Sequence, residues 1–240
     1  MTRLAYDLHI HSCLSPCADD DMTPANIVGM ASIKELDVIA LTDHNSCKNC
    51  KALMEWSKQY GILALPGMEL TTQEEVHVLC LFSSLESAVQ FDSYVYSRLG
   101  MIKNDSEIFG NQFLYNEKDE KAGEEGRLLI QSTSIRFDEV YHLMQQYDGV
   151  MIPAHIDKNA NSLLYNLGFI PEKSKFRCVE ISNLQNKKQL CEEQEYLRAI
   201  RVISNSDAHY LTDINEPKNW MEVEEPTIDG VMDWLRNTRN

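Results

Sequence analysis

Asp7-Leu8-His9-Ile10-His11 sets two imidazoles two residues apart. In extended backbone, side chains at i and i+2 share a face, so His9 and His11 can meet one ion. One His-x-His is a weak sign by itself, since two core histidines would read the same way. Similar groups recur where other apolar runs end: Thr42-Asp43-His44, Gly67-Met68-Glu69, Pro153-Ala154-His155 and Ser206-Asp207-Ala208-His209. In parallel α/β folds, strand ends that face one way form the site. Six of the seven histidines can then converge; the exception, His142, lies in a helical stretch and reads as a partly exposed helix residue. Imidazoles mixed with a few carboxylates suit zinc, manganese or iron better than calcium or magnesium. There are more candidate ligands than one ion takes, which points to two or three ions with a bridging carboxylate. Paired metals of this kind are typical of phosphate-ester hydrolysis.

The elements that must position these residues follow an α/β rhythm. A strand over 4–8 leads to Thr23-Pro24, an N-cap followed by Pro at the first helical position, and a helix to about 34. The run 38–42 is a buried strand, 48–60 a helix stopped by Gly61, and 62–65 a third strand. This order implies parallel strands with covering helices. Residues 71–75 are then too few for a helical crossover between Glu69-Leu70 and the apolar run 76–82. Those two strands must run antiparallel, which places Glu69 and His77 near one end of the sheet. A helix is expected over 85–99. Residues 101–133 are polar and Gly-containing and read as an inserted loop, hairpin or cap, or simply as a solvated surface excursion. Helices over 138–147 and 187–197, strands over 150–153, 178–182, 200–204 and 221–223, and a final helix ending near Arg239 complete the pattern. We expect one domain over 1–240, with 101–133 inserted in it.

Composition narrows the partners. The 240 residues hold 22 Lys plus Arg and 37 Asp plus Glu, a net charge of −15. That balance argues against coating long nucleic acid or docking on anionic membranes. No apolar run is long enough for a transmembrane helix, and the first residues lack the apolar stretch of a signal peptide. Seven cysteines, an odd number, suggest a reducing, cytoplasmic setting.

Taken together, Asp-Leu-His-Ile-His (7–11), Leu-Thr-Asp-His-Asn (41–45), Pro-Gly-Met-Glu-Leu (66–70), Val-His-Val-Leu (76–79), Pro-Ala-His (153–155), Val-Glu-Ile-Ser-Asn (179–183) and Ser-Asp-Ala-His (206–209) resemble the PHP (polymerase and histidinol phosphatase) superfamily of metal-dependent phosphoesterases. The resemblance spans nearly the whole chain, in order. It implies a distorted (β/α)7 barrel with a trinuclear site at its C-terminal face. It assigns His9, His11, Glu69 and Asp207 to a first ion. His44 and His209 go to a second, together with an acid or His that follows the first motif. Glu69, His77 and His155 go to a third, with Glu69 bridging. The missing acid lies among Asp19, Asp20 and Asp21; its usual spacing before the helix-opening Pro24 selects Asp19. This sequence departs from the pattern there: it lacks the Gly that commonly follows, and it carries Cys17 nearby. Lys158 stands where the family often has a phosphate-binding Arg, and can act as a point charge or be an ordinary loop lysine. Asn45 and Asn183 can touch substrate or orient ligands, or simply serve turns.

The activity so implied is hydrolysis of a small phosphorylated, nucleotide-like substrate by metal-activated water, with no Ser or Cys nucleophile. The compact spacing from Gly-x-Glu to Val-His favours the nucleotide-phosphatase-like branch. The alternatives are a 5'-3' exonuclease on short oligonucleotides, a histidinol-phosphate phosphatase, and a non-catalytic metal-binding regulatory module. Cys13 and Cys17, with Cys47 and Cys50, follow the first two metal motifs and can form a further thiolate site or stay as reduced loop thiols. Cys80, Cys178 and Cys191 read as small core residues.

Overall fold

The computed structural model describes residues 1–237. In chain order its strands and helices are β1 (Thr2–Ile10), α1 (Pro24–Ile33), β2 (Val38–Leu41), α2 (Cys50–Tyr60), β3 (Leu63–Thr71), β4 (His77–Phe82) and α3 (Leu85–Arg98). There follow α4 (Ser106–Phe109), β5 (Phe113–Tyr115), β6 (Lys121–Glu124), α5 (Phe137–Gln146), β7 (Gly149–Pro153) and α6 (Leu163–Leu167). The chain closes with β8 (Cys178–Glu180), α7 (Lys187–Glu193), β9 (Arg201–Ile203), β10 (Trp220–Val223) and α8 (Ile228–Arg236). The expected end of the last helix near Arg239 lies outside the described residues.

Six strands form a sheet in the order β10-β1-β2-β3-β4-β7, and β8-β9 form a separate parallel pair. A parallel bridge from Ile10 to Ala208 and a hydrogen bond from Ile156 N–H to Glu180 C=O (3.0 Å) join that pair to the sheet. The result is the distorted barrel of α/β type that the sequence led us to expect. β1, β2 and β3 run parallel, whereas β3-β4 and β4-β7 are antiparallel. The five-residue connection does force antiparallel pairing, with Thr71 opposite His77.

Local signals set most element ends. Thr23 accepts a hydrogen bond from Asn26 N–H ahead of Pro24, and Gly61 ends α2 in the left-handed region at φ +69°. Gly67 is required for space: a Cβ there would lie 2.7 Å from Leu81 Cδ2 and 2.9 Å from the Cys80 carbonyl oxygen. The expected helix over 187–197 is divided. Gln194 leaves helical geometry (φ −121°, ψ 95°), and a 3-10 turn, Glu195–Ala199, follows α7.

The period of two sorts the strand residues into layers. Leu65 on β3, Leu79 and Leu81 on β4, Ile152 on β7 and Cys178 on β8 pack inside the barrel with Met232 and Leu235 of α8. Ile39, Met68, Val78 and Val179 face outward onto Val28, Leu53, Phe91 and Val140 of the helices. Glu69, His77 and Glu180 continue the inner rows beyond the leucines and Cys178, so they crown the apolar interior.

β1 needs one more device. Leu4, Tyr6 and Leu8 belong to the inner layer, yet Ala5 and Ile10 belong to the outer one. Parity therefore switches between residues 8 and 10. The register against β2 shows why: Asp7 faces Ile39 and Ile10 faces Leu41, so an extra residue of β1 bulges between them. The bulge brings His9 and His11 onto the inner side, which strict alternation would have denied them.

Candidate metal centre

His9 and His11 are both buried, and each has its Nδ1 engaged. His9 Nδ1 lies 3.1 and 3.2 Å from the two Glu180 carboxylate oxygens. His11 Nδ1 lies 3.0 Å from Ser15 Oγ, whose own proton goes to Asp43 Oδ1 at 2.7 Å. Ser15 must therefore accept from His11. In their neutral forms both rings therefore carry the proton on Nδ1 and present Nε2 as the binding atom. Those two Nε2 atoms face each other at 3.1 Å. Glu69 Oε1 and Oε2 approach them at 3.3 and 3.4 Å, and Asp207 Oδ1 at 3.2 and 3.3 Å. Two imidazole nitrogens and two carboxylates converge on one point, an arrangement that a shared proton or a cation stabilises.

Glu69 is the hub. Its Oε1 meets His77 Nδ1 at 2.9 Å and His155 Nε2 at 3.1 Å, while Oε2 meets His44 Nδ1 at 3.1 Å. Each oxygen thus serves a different set of imidazoles, the geometry of a bridging ligand. Three sets of side chains hold their ligand atoms within 4.8 Å of one another: His9, His11, Glu69 and Asp207; His11, His44 and His209; and His44, Glu69 and His77. His155 Nδ1 is buried without a hydrogen-bond partner, and His44 Nδ1, although close to Glu69 Oε2, is not aligned for a hydrogen bond.

The charges are tightly interlocked. Burial opposes the charged form of His9, but Asp207, Glu180 and Glu69 prevail and hold its pKa well above the ordinary value. Burial and the neighbouring His44 push His11 well below it. Burial also opposes ionised Glu69, yet His77, His9 and His44 keep its carboxyl far below the usual range. Asp207 is lowered in the same way, against burial, by His9 and His11. Backbone strain collects here too: His155 (φ 29°) and Asp207 (φ 55°) occupy positive φ without being glycine. Such positions cost about 1–3 kcal/mol each and tend to mark functional sites.

Every sequence-derived histidine ligand, with Glu69 and Asp207, therefore comes together. The third set includes His44, with His155 reaching it through Glu69. Asp19 stands apart: its carboxylate accepts from Asp21 N–H at 2.9 Å and joins none of the three sets. Cys17 likewise joins none of the three sets. Burial opposes ionisation of its thiol, but the neighbouring His209 and His44 bring its pKa down to about 6. Lys158 pairs with Asp207 Oδ2, the oxygen turned away from His9 and His11. Asn45 serves structure, donating to the Leu129 and Gln131 carbonyls (2.7 and 2.9 Å), and Asn183 accepts from Gln185 N–H. The four-thiol cluster is not assembled. Cys47 and Cys50 aim their sulfurs at the Gly67 carbonyl oxygen (3.2 and 3.4 Å), and no metal-capable set among the described residues gathers two cysteines.

Sequence reasoning gave no role to Glu180, Asp43 or Ser15, which orient the first two ligands. Histidine ligands commonly donate their second nitrogen to such a carboxylate, a relation that appears only once the fold brings Glu180, at the end of β8, against His9.

The PHP domain model matches residues 7–225. The chain belongs to the PHP domain family. It is 32% identical over 76 residues to an uncharacterized protein of Methanocaldococcus jannaschii, an alignment covering 28% of this chain and 44% of that one. Its fold is similar to the lesion-specific endonuclease EndoQ of Pyrococcus furiosus (TM-score 0.67, 19% identity, 98% of this chain and 56% of that one). It is also similar to a metal-dependent phosphoesterase, described as putative, from Bifidobacterium adolescentis (TM-score 0.64, 19% identity, 98% and 96%). The chain thus spans about half the length of the endonuclease and less than half of the Methanocaldococcus relative. Among the described residues no helix is long and apolar enough to cross a membrane.

Proposed function

We propose that this PHP domain hydrolyses the phosphate ester of a small, nucleotide-like molecule with two or three divalent ions, zinc, manganese or iron, held by His9, His11, His44, Glu69, His77, His155, Asp207 and His209. The observation that carries this reading is the pair of Nε2 atoms on His9 and His11, 3.1 Å apart and flanked by Glu69 and Asp207. When bound, such ions supply Lewis acidity toward phosphoryl oxygens and lower the pKa of water. The chain supplies the positioning. Glu180 and Ser15 fix the two imidazole tautomers, and Glu69 spans the imidazole sets with its two oxygens.

Lys158 lies at the rim of this cluster on Asp207 and is free to turn toward a substrate phosphate once Asp207 engages an ion. Beside it is a groove of about 400 Å³ lined by Asn159, Tyr165, Asn186 and Gln189. Ile156, Leu164 and Leu190 share this wall, so it offers both hydrogen-bonding groups and apolar surface to the edge and face of a nucleoside. The segment 101–133 acts as a cap in this reading. Phe113 N–H bonds the Cys13 carbonyl oxygen at 2.8 Å, and Asn111 bonds Asp20, so the segment leans on the loop that follows β1. The seven unpaired cysteines support a cytoplasmic location.

Hydrolysis of short oligonucleotides is the second reading, favoured by the fold similarity to EndoQ. The net charge of −15 weighs against a long nucleic-acid track. The test is hydrolysis by the metal-reconstituted protein of a nucleoside bisphosphate, a short RNA and histidinol phosphate, compared side by side. Preference for the bisphosphate supports the proposal, and preference for RNA replaces it with the second reading. An inert protein in all three arms, with metal bound, would indicate a regulatory module.

A further inference from the structure

The loop between β2 and α2 carries His44, a member of two metal-capable sets, and just beyond it two buried carboxamides, Asn45 and Asn49. Both reach across to the segment 101–133. Asn45 Nδ2 donates to the Leu129 and Gln131 carbonyl oxygens at 2.7 and 2.9 Å, and its Oδ1 accepts from Thr71 N–H at 2.9 Å. Asn49 Nδ2 donates to the Phe113 carbonyl oxygen at 3.1 Å and to Ser12 Oγ at 3.0 Å, and its Oδ1 accepts from Tyr115 N–H at 3.0 Å. Asn49 thus grips the outgoing arm of the segment, and Asn45 grips the returning arm.

Local structure does not account for these contacts. Asn49 is the N-cap residue of α2, where an Asn side chain usually accepts a helix N–H, yet it makes no such bond. Asn45 holds left-handed backbone at φ 49°. Its N–H bonds the Glu69 carbonyl oxygen at 3.0 Å, and Glu69 N–H bonds the Asp43 carbonyl oxygen at 3.0 Å, so the residue is locked to the ligand-bearing part of β3. Thr71 closes the seam: its carbonyl oxygen accepts from Thr133 N–H (3.0 Å) and Thr133 Oγ1 (2.8 Å). Within the segment, buried Gln112 ties the two arms together. It donates to the Glu125 and Arg127 carbonyl oxygens (2.8 and 2.7 Å) and accepts from Leu129 N–H (2.8 Å). All three carboxamides have both donors and the oxygen engaged. A buried polar network satisfied in this way is rigid, and removing one partner is costly.

We infer that Asn45 and Asn49 are positioning residues that clamp the segment 101–133 as a fixed wall beside the metal centre, and so set which phosphate esters reach it. They act through the segment and touch neither ion nor ester. The inference rests on the cap reading above and deepens it by naming what holds the cap. A segment tied by both arms to the loop of His44 swings clear only by breaking buried hydrogen bonds. A wall of this kind suits a small phosphorylated molecule that fits a preformed site, and it disfavours a strand that must thread past.

Hydrogen exchange of the metal-loaded full chain, read beside steady-state kinetics, tests this. Asn49→Ala removes the bonds to Ser12, Phe113 and Tyr115. Asn45→Asp tolerates the left-handed backbone and keeps the bond from Thr71 N–H, but turns a carboxylate oxygen onto two carbonyls. In both variants the amides of 101–133 should exchange about tenfold faster, while those of β1 and β4 keep their protection. The kcat/KM for adenosine monophosphate should fall about tenfold relative to that for the smaller p-nitrophenyl phosphate, chiefly through KM, with metal content retained. Thr133→Val loosens the same seam from the segment side by removing the hydroxyl bond to Thr71, and should move both readouts the same way even where the Asn variants fail to fold. Unchanged exchange and an unchanged substrate ratio overturn the clamp and leave the metal centre standing. Loss of metal with equal loss on both esters, the segment still protected, overturns it too, since Asn45 and Asn49 would then serve His44 alone. A wild type that binds metal yet cleaves neither ester overturns the phosphatase reading and the selectivity claim with it, and exchange alone then decides the clamp.

Discussion

His9 Nδ1 is held by Glu180 at 3.1 Å, and this contact turns the Nε2 of the same ring toward His11 and Glu69. Glu180 is itself held by Asn205 Nδ2 (2.7 Å) and His155 N–H (3.1 Å), so it also ties the end of β8 to the loop after β7. We expect Glu180→Gln to fold normally and to lower metal affinity about 10–100-fold, as is typical for loss of a carboxylate behind a histidine ligand. Competition with a chromophoric chelator measures this. Unchanged affinity would remove Glu180 from the account.

Lys158 makes a different kind of prediction. If it meets the substrate phosphate as a point charge, Lys158→Ala should raise KM about tenfold with little change in kcat, since the loss is of uniform binding. Steady-state kinetics at two ionic strengths check it, because the wild-type advantage should shrink at high salt. A pure kcat effect would place Lys158 elsewhere in the reaction.

Protons and metal compete for the same nitrogens. In the metal-free protein burial opposes a charged His44, but Glu69 and the Cys17 thiol hold its pKa up to about 10. An ion binding near neutral pH must displace that proton. Metal affinity should therefore climb as pH rises toward about 10, by about tenfold per pH unit for each proton released. Calorimetric titration in buffers of different ionisation enthalpy counts the protons. Stability without metal carries the opposite sign. The His44 contribution is fully present below its ordinary pKa of 6.5 and is lost as pH rises to about 10. A flat pH dependence of metal affinity would contradict this.

Gly67 links packing to the site, two residues before Glu69 on β3. Gly67→Ala would drive a Cβ into Leu81 and the Cys80 carbonyl oxygen. We expect a loss of about 1–3 kcal/mol in denaturant unfolding, the usual cost of overpacking, together with weaker metal binding as β3 shifts. An unchanged midpoint would mean that β4 yields without strain.

The sequence carried much of this because metal ligands at strand ends are local signals. The apolar runs gave the strands, and the short connection 71–75 gave the antiparallel turn that joins Glu69 to His77. The hidden parts depend on long-range geometry. Nothing in residues 7–11 announces the bulge that turns His9 and His11 inward, because bulges arise from pairing with β2. Asp19 fits a spacing rule, yet its carboxylate turns back onto Asp21 N–H and only its own N–H reaches the site, at the His209 carbonyl oxygen. Cys47 and Cys50 have zinc-like spacing, but α2 begins at Cys50 and both sulfurs meet the Gly67 carbonyl. The helix expected over 187–197 breaks at Gln194. Beyond it, Tyr196 Oη is anchored on the Ser174 and Phe176 carbonyls (3.0 and 2.8 Å), a tertiary contact that helical pattern alone does not reveal.

The bridging role of Glu69 is the central claim, and metal content is its most direct measure. Elemental analysis of the reconstituted wild type and Glu69→Ala proteins, with phosphatase assays on the same samples, should show two or three ions in the first. The variant should lose two ions together and its activity with them. Equal metal content and equal activity in the two proteins would contradict the assignment.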